Sequence, residues 1–120
     1  MDAVSNTKLA KTVVFVVEQL ANGRFDELAE ITNSTRLTAS EMEEALSEYG
    51  INLLAPISIS MDELDVVEVS RGYRKAPHEW SVWYQLVDKV LGPSDLTLRL
   101  TIVDKGTQIL GVEVDDIRVN

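Results

Sequence analysis

Cysteine is absent from this chain, and histidine occurs once, at His78. The first absence excludes a disulfide framework, a thiolate metal site and thiol catalysis; the second excludes histidine-clustered metal centres and paired-imidazole chemistry. No stretch approaches the ~20 consecutive apolar residues of a membrane-spanning helix, so the chain reads as soluble and, by default, cytoplasmic. Positive charge is scarce as well: 11 lysines and arginines face 20 aspartates and glutamates, for a net charge of -9. An excess of that size repels phosphate backbones and anionic headgroups, which makes nucleic acid and membrane poor partners and a basic protein an electrostatically welcome one. The one cluster of basic residues, Arg71, Arg74 and Lys75, is too small for a nucleic-acid footprint. No Gly-x-Ser-x-Gly occurs, so a serine-triad hydrolase is discounted. No repeat, low-complexity tract or linker divides the 120 residues. They read as one domain, with helices over about 6–50 and a sheet over about 57–120.

What is present begins with helical periodicity. Lys8 and Lys11 precede the apolar run Val13 to Val17 in the manner of a secretory signal, but Glu18 and Gln19 end the run short of the ~7–15 apolar residues a signal needs. Leu9, Val13, Val16, Val17 and Leu20 instead recur at three- and four-residue spacing, predicting a helix capped by Asn6 or Thr7 and running to about Leu20. Its β-branched residues lower intrinsic helicity, so burial must hold it. Ala21-Asn22-Gly23 stops it. Phe25, Leu28 and Ile31 then mark a short second helix with Asp26 and Glu27 in its first turn, and residues 33–35 form a loop. Thr38-Ala39-Ser40-Glu41 is a capping box, in which hydroxyl and carboxylate reciprocally satisfy orphan amides. The third helix carries Met42, Ala45, Leu46 and Tyr49 on its stripe and ends at Gly50.

After the connector Ile51 to Pro56 the apolar period changes from 3.6 to 2. Strands are predicted over Leu64 to Arg71, Glu79 to Asp88 and Asp95 to Asp104, the second with Trp80, Val82, Tyr84 and Leu86 on one face, the third with Leu96, Leu98, Leu100 and Ile102. A tight turn at Asp104 to Thr107 makes an antiparallel hairpin with a fourth strand. That strand begins with Leu110, Val112 and Val114 inward, while Ile117 and Val119 fall in the opposite phase, so a bulge at Asp115-Asp116 is expected. The fold class is α+β: three N-terminal helices packed on a bent antiparallel four-stranded sheet.

The step Gly23 to Leu28 into a second helix, the capped third helix ending in Tyr49-Gly50, and the terminal strands Asp95 to Thr101 and Ile109 to Gly111 together resemble the nuclear transport factor 2-like superfamily. Asn22 to Gly50 is similar to the segment with which small bacterial members close a conical sheet. Gly92 to Leu98, Gly-Pro-Ser-Asp-Leu-Thr-Leu, is similar to a phrase carried by a bacterial group of such domains. The resemblance covers nearly the whole chain and lies in order and pattern. It implies a cone fold whose members include isomerase-like and cyclase-like enzymes, ligand binders, transport adaptors and toxin-blocking immunity proteins. The isomerase's aspartate and tyrosine constellation finds no residue-by-residue match here.

His78, between Pro77 and Glu79, reads as a solvated loop residue. Tyr84 and Asp88 share a strand face with Trp80. In a cone interior a desolvated aspartate near a tyrosine could act as a base; otherwise Tyr84 is core and Asp88 starts the turn toward Gly92-Pro93. Trp83 falls on the other face with Ser81 and Gln85, an exposed anchor of the kind interfaces favour. The acidic clusters Asp62-Glu63-Asp65 and Glu113-Asp115-Asp116 lack calcium-loop spacing. Their expected use is a negative patch, with Asp62, Glu63, Asp115 and Asp116 steering a basic partner. No metal or cofactor is expected. The leading expectation is a non-catalytic protein-binding module of a bacterial immunity or inhibitor type. The rivals are a small-molecule enzyme or ligand binder using Tyr84 and Asp88, and a homodimeric scaffold.

Overall fold

The computed structural model describes residues 3–32, 36–69, 78–104 and 110–119. The first helix, α1, spans Ala3–Ala21; α2 spans Phe25–Thr32 and α3 Ala39–Tyr49. A single 3₁₀ turn at Met61–Glu63 leads into β1, Leu64–Val69, followed by β2, His78–Asp88, β3, Gly92–Asp104, and β4, Gly111–Val119. The strands form one antiparallel sheet in chain order β1-β2-β3-β4. The α+β class, the three helices and the four antiparallel strands match the expectation from the apolar periods.

Burial holds α1 helical. Leu9, Val13, Val16 and Val17 are fully buried and Leu20 nearly so, each contributing roughly 1.5–3 kcal/mol relative to exposure. The helix starts at Ala3, ahead of the expected Asn6 or Thr7 cap, because no glycine or proline in that stretch stops it from propagating. At its other end Gly23 takes φ 71, while the Gly23 and Arg24 amides donate to the carbonyls of Leu20 and Gln19. The same pattern recurs at Gly50, φ 76, with the Gly50 and Ile51 amides donating to Ser47 and Leu46. This pair of bonds satisfies the last carbonyls of each helix and turns the chain sharply, which lets three short helices stack. The capping box of α3 is complete: the Glu41 amide donates to Thr38 Oγ1 at 3.2 Å and the Thr38 amide to Glu41 Oε1 at 2.9 Å. Those bonds to the backbone and hydroxyl of Thr38 hold the Glu41 carboxyl below its ordinary range.

The inner sheet face and the helices share one core. Trp80, Val82, Tyr84, Leu86, Leu98 and Leu100 pack with Leu28, Met42 and the α1 stripe, all at 4% exposure or less. Ile31 and Tyr49, read as parts of apolar stripes, lie outside that core, at 61% and 38% exposure. Tyr49 nevertheless has a use, because its hydroxyl accepts the Asp95 amide at 3.0 Å.

Two bulges bend the sheet. On β4, Arg99 pairs with Asp116 and Leu100 with Val114, so Asp115 is the extra residue and Ile117 returns to the core face opposite Leu98. The phase break at Asp115-Asp116 is therefore a bulge, as the sequence predicts. A second irregularity falls at Leu86, between Gln85 and Val87, where Ser94 Oγ donates to the Leu86 carbonyl at 2.7 Å and accepts the Leu96 amide at 3.1 Å.

Two boundaries differ from expectation. β3 begins at Gly92, not Asp95, because the turn closes earlier, over Lys89 to Leu91, and Gly92 and Pro93 pair with Asp88 and Val87. His78 opens β2 opposite Asp104 and is not a loop residue. β1 ends at Val69. The expected extension to Arg71, the basic residues Arg71, Arg74 and Lys75, the loop over 33–35 and the turn beyond Asp104 lie outside the described residues. Among the described residues no helix is long and apolar enough to cross a membrane.

Candidate functional site

Tyr84 and Asp88 are the residues through which an interior catalytic site would work, and the structure commits both elsewhere. Asp88 ends β2 beneath the turn. Its Oδ2 accepts the Asn52 amide at 2.9 Å, and its Oδ1 accepts those of Leu91 at 3.0 Å and Val90 at 2.8 Å. These three bonds, the Asn52 bond foremost, hold its carboxyl below the usual aspartate range against the opposing effect of burial. A general base works best with a pKa near the operating pH, so Asp88 is shifted away from that use and acts as a clamp between the turn and the segment entering from α3. Tyr84 lies on the inner face between Leu64 and Leu98 and is buried. Burial, then the charge of Glu63, pushes its hydroxyl above its ordinary value, so it stays a neutral phenol. The turn reading of Asp88 and the core reading of Tyr84 are the ones the geometry fits.

The outer face is different in character. Strand register sets Asp65, Trp83, Arg99 and Asp116 in one row across all four strands. The Arg99 guanidinium carbon lies 5.3 Å from the Trp83 ring centroid. Beside this row, where the 3₁₀ turn meets β1, a cleft of about 540 Å³ is lined by Asp62, Glu63, Asp65, Trp83, Tyr84 and Thr97, among others. Glu63 is fixed there by accepting the Ser60 amide at 3.1 Å, which leaves its second oxygen outside that bond. Asp62 and Asp65 are exposed. The chain thus gathers three carboxylates and a half-buried tryptophan around one concavity, a composition that favours a cation with an apolar stem.

The other acidic cluster does not join it. The Asp115 carboxylate is only 3% exposed, with Oδ1 3.1 Å from Arg36 Nη1, and Oδ2 accepting the Thr101 hydroxyl at 2.6 Å and lying 4.0 Å from Arg99 Nε. Asp116 lies 3.3 Å from Arg118, and Glu113 lies 4.0 Å from Arg36. These acids brace the β4 bulge and lie against arginines, so of the carboxylates expected to steer a basic partner Asp62 and Glu63 are exposed, Asp116 is partly exposed beside Arg118, and Asp115 is enclosed. The reason is Arg36, which arrives from between α2 and α3 and whose reach no local pattern signals. Arg99 was equally hidden: alternation places it on the outer face, but only strand register places it over Trp83.

His78 is exposed yet partnered, its Nδ1 2.9 Å from Glu68 Oε1 and its ring stacked on Trp80 at 5.9 Å and 19°. Among the described residues no group of three or more histidines, aspartates or glutamates is arranged to hold a metal ion.

Comparison with curated proteins and with solved structures gives no match. The model of a family described as a domain of unknown function, DUF7668, matches residues 17–120, from the second half of α1 to the last strand, and the chain belongs to that family.

Proposed function

We propose that this chain is a non-catalytic protein-binding module, of the inhibitor or immunity type and on a nuclear transport factor 2-like frame, that receives a basic segment of its partner in the outer cleft. The observation that carries this reading is the convergence of Asp62, Glu63 and Asp65 on Trp83 in a chain of net charge -9. The inner face supports it from the other side, since side chains fill it and the carboxylate once available for catalysis is consumed by backbone amides. Arg99 supports it as well: the Trp83 ring already stacks a guanidinium, the group a basic partner would offer. Face-to-face pairing of two copies through this cleft is disfavoured, because a two-fold axis would set its carboxylates against their own copies.

The test is a titration of isotope-labelled protein with a short arginine-rich peptide, followed by amide and indole resonances. The amides of residues 62–65 and the Trp83 indole should shift, and the combined Asp62→Asn, Glu63→Gln, Asp65→Asn variant should lose the response. A glutamate-rich peptide should leave the spectrum unchanged. Shifts confined to the helices, or none, would remove the cleft from consideration.

A further inference from the structure

The helical layer carries a second concavity of opposite character. On α1, Lys8, Lys11, Thr12 and Phe15 follow one another at helical spacing, on a stripe separate from the buried one. Facing them are Ile31 of α2 and, from the β4 side, Leu110 and Val112, and together they line a groove of about 470 Å³. Its walls are hydrocarbon. Thr12 donates its hydroxyl to the Lys8 carbonyl at 2.7 Å, so that hydroxyl is satisfied within the helix. Ile31 is 61% exposed and Phe15 39%, while Leu28 and Val16 of the same two helices are fully buried.

The charge at the rim is the second observation. Among the described residues no carboxylate lies within ion-pair distance of Lys8 or Lys11, whereas Arg36, Arg99 and Arg118 are each spent on aspartates. Among the described residues no carboxylate lines the groove either. A chain with 20 acidic residues thus leaves two ammonium groups, Lys8 and Lys11, beside an exposed isoleucine, Ile31, and without a carboxylate partner among the described residues.

We infer that this groove docks the apolar face of an acidic amphipathic helix from another protein. Two hydrophobic side chains one helical turn apart enter between Phe15 and Ile31, and flanking carboxylates meet Lys8 and Lys11. The lysines stand three residues apart, roughly 4.5 Å along the axis, close to the spacing of carboxylates one turn apart on a facing helix. A second copy fits less well, because a two-fold contact through this face opposes lysine to lysine. An anionic membrane fits less well again, because the surface is concave and a bilayer is not. The groove shares no lining residue with the acidic cleft, so the two surfaces stand or fall separately.

The probe is a fluorescein-labelled helical peptide with leucines at three- and four-residue spacing flanked by glutamates, read by anisotropy against a counterpart flanked by lysines. The acidic peptide should bind at least about tenfold more tightly, and the Lys8→Glu, Lys11→Glu variant should reverse that order, as expected when rim charges set partner choice. Ile31→Ser should abolish binding with an unchanged unfolding midpoint, since the side chain is already mostly in solvent. Equal binding of the two peptides, or binding indifferent to Ile31→Ser, overturns the inference. So does a concentration-dependent dimer that Ile31→Ser disperses, or sedimentation with phosphatidylserine vesicles in place of peptide binding, since each assigns the groove to a different occupant.

Discussion

Arg99 lies over Trp83 at 5.3 Å, and its Nε stands 4.0 Å from Asp115. One cation thus links the central aromatic of the outer face to the bulge on β4. Trp83→Ala should cost about 1 kcal/mol, the scale of a partly exposed cation–π contact, whereas Trp80→Ala, in the core, should cost about 3–5 kcal/mol. Chemical denaturation of the two variants side by side checks this. Equal losses would place Trp83 in the packing and leave the cleft without its anchor.

The two acidic clusters should respond differently to truncation. Asp115 is enclosed and holds Arg36 and Thr101, so Asp115→Ala should lower stability by about 1.5–3 kcal/mol, the range for hydrogen bonds made to a charged group. Asp62 is exposed, so Asp62→Ala should stay within about 0.5 kcal/mol of wild type. The association rate with an arginine-rich peptide should show the reverse ranking, slowed by Asp62→Ala and little changed by Asp115→Ala. Steering that depended on Asp115 would place the steering carboxylates on β4.

Local pattern carried the fold far and the site only partway. The capping box lies within four consecutive residues, and the β4 bulge shows as a slip of phase between Val114 and Ile117, so neither needed knowledge of a distant partner. The cleft is another matter. The row from Asp65 to Asp116 depends on the register of three strand pairs, and the Arg36–Asp115 bond spans 79 residues. His78 was misplaced because Arg71 to Pro77 lack any strand signal up to its doorstep. Ile31 kept three-residue spacing with Phe25 and Leu28, but steps of three drift round a helix of 3.6 residues per turn, and it is Thr32 that is buried in the last turn of α2 while Ile31 falls on the solvent side.

Thr38→Ala should destabilise the protein by about 1 kcal/mol, because it removes the hydroxyl acceptor of the Glu41 amide while the rest of α3 remains. Thr38→Ser, which retains the oxygen, should recover most of the loss. Thermal melts of the pair separate the cap from the methyl group: equal destabilisation by both would assign the effect to packing.

Asp88 provides a prediction with a sign in pH. Its folded carboxyl is held below the ordinary range by three amides, while the unfolded side chain titrates at about 3.9. Between those two values the unfolded chain binds the extra proton, so stability rises with pH there. The contribution is complete above the unfolded value and is lost as pH falls through the folded one. Asp88→Asn keeps the shape but offers one carbonyl oxygen where two oxygens accepted three amides, and it cannot ionise. At neutral pH the variant should melt several degrees below wild type, on the scale of ~4–8 °C per kcal/mol lost in a domain near this size. As pH is lowered past the unfolded value the two midpoints should converge, because protonation disarms the wild-type clamp while the variant has none to lose. Were Asp88 instead a base in a working pocket, removing its charge would leave the midpoint unchanged or raise it, and the gap between the two proteins would not close in acid.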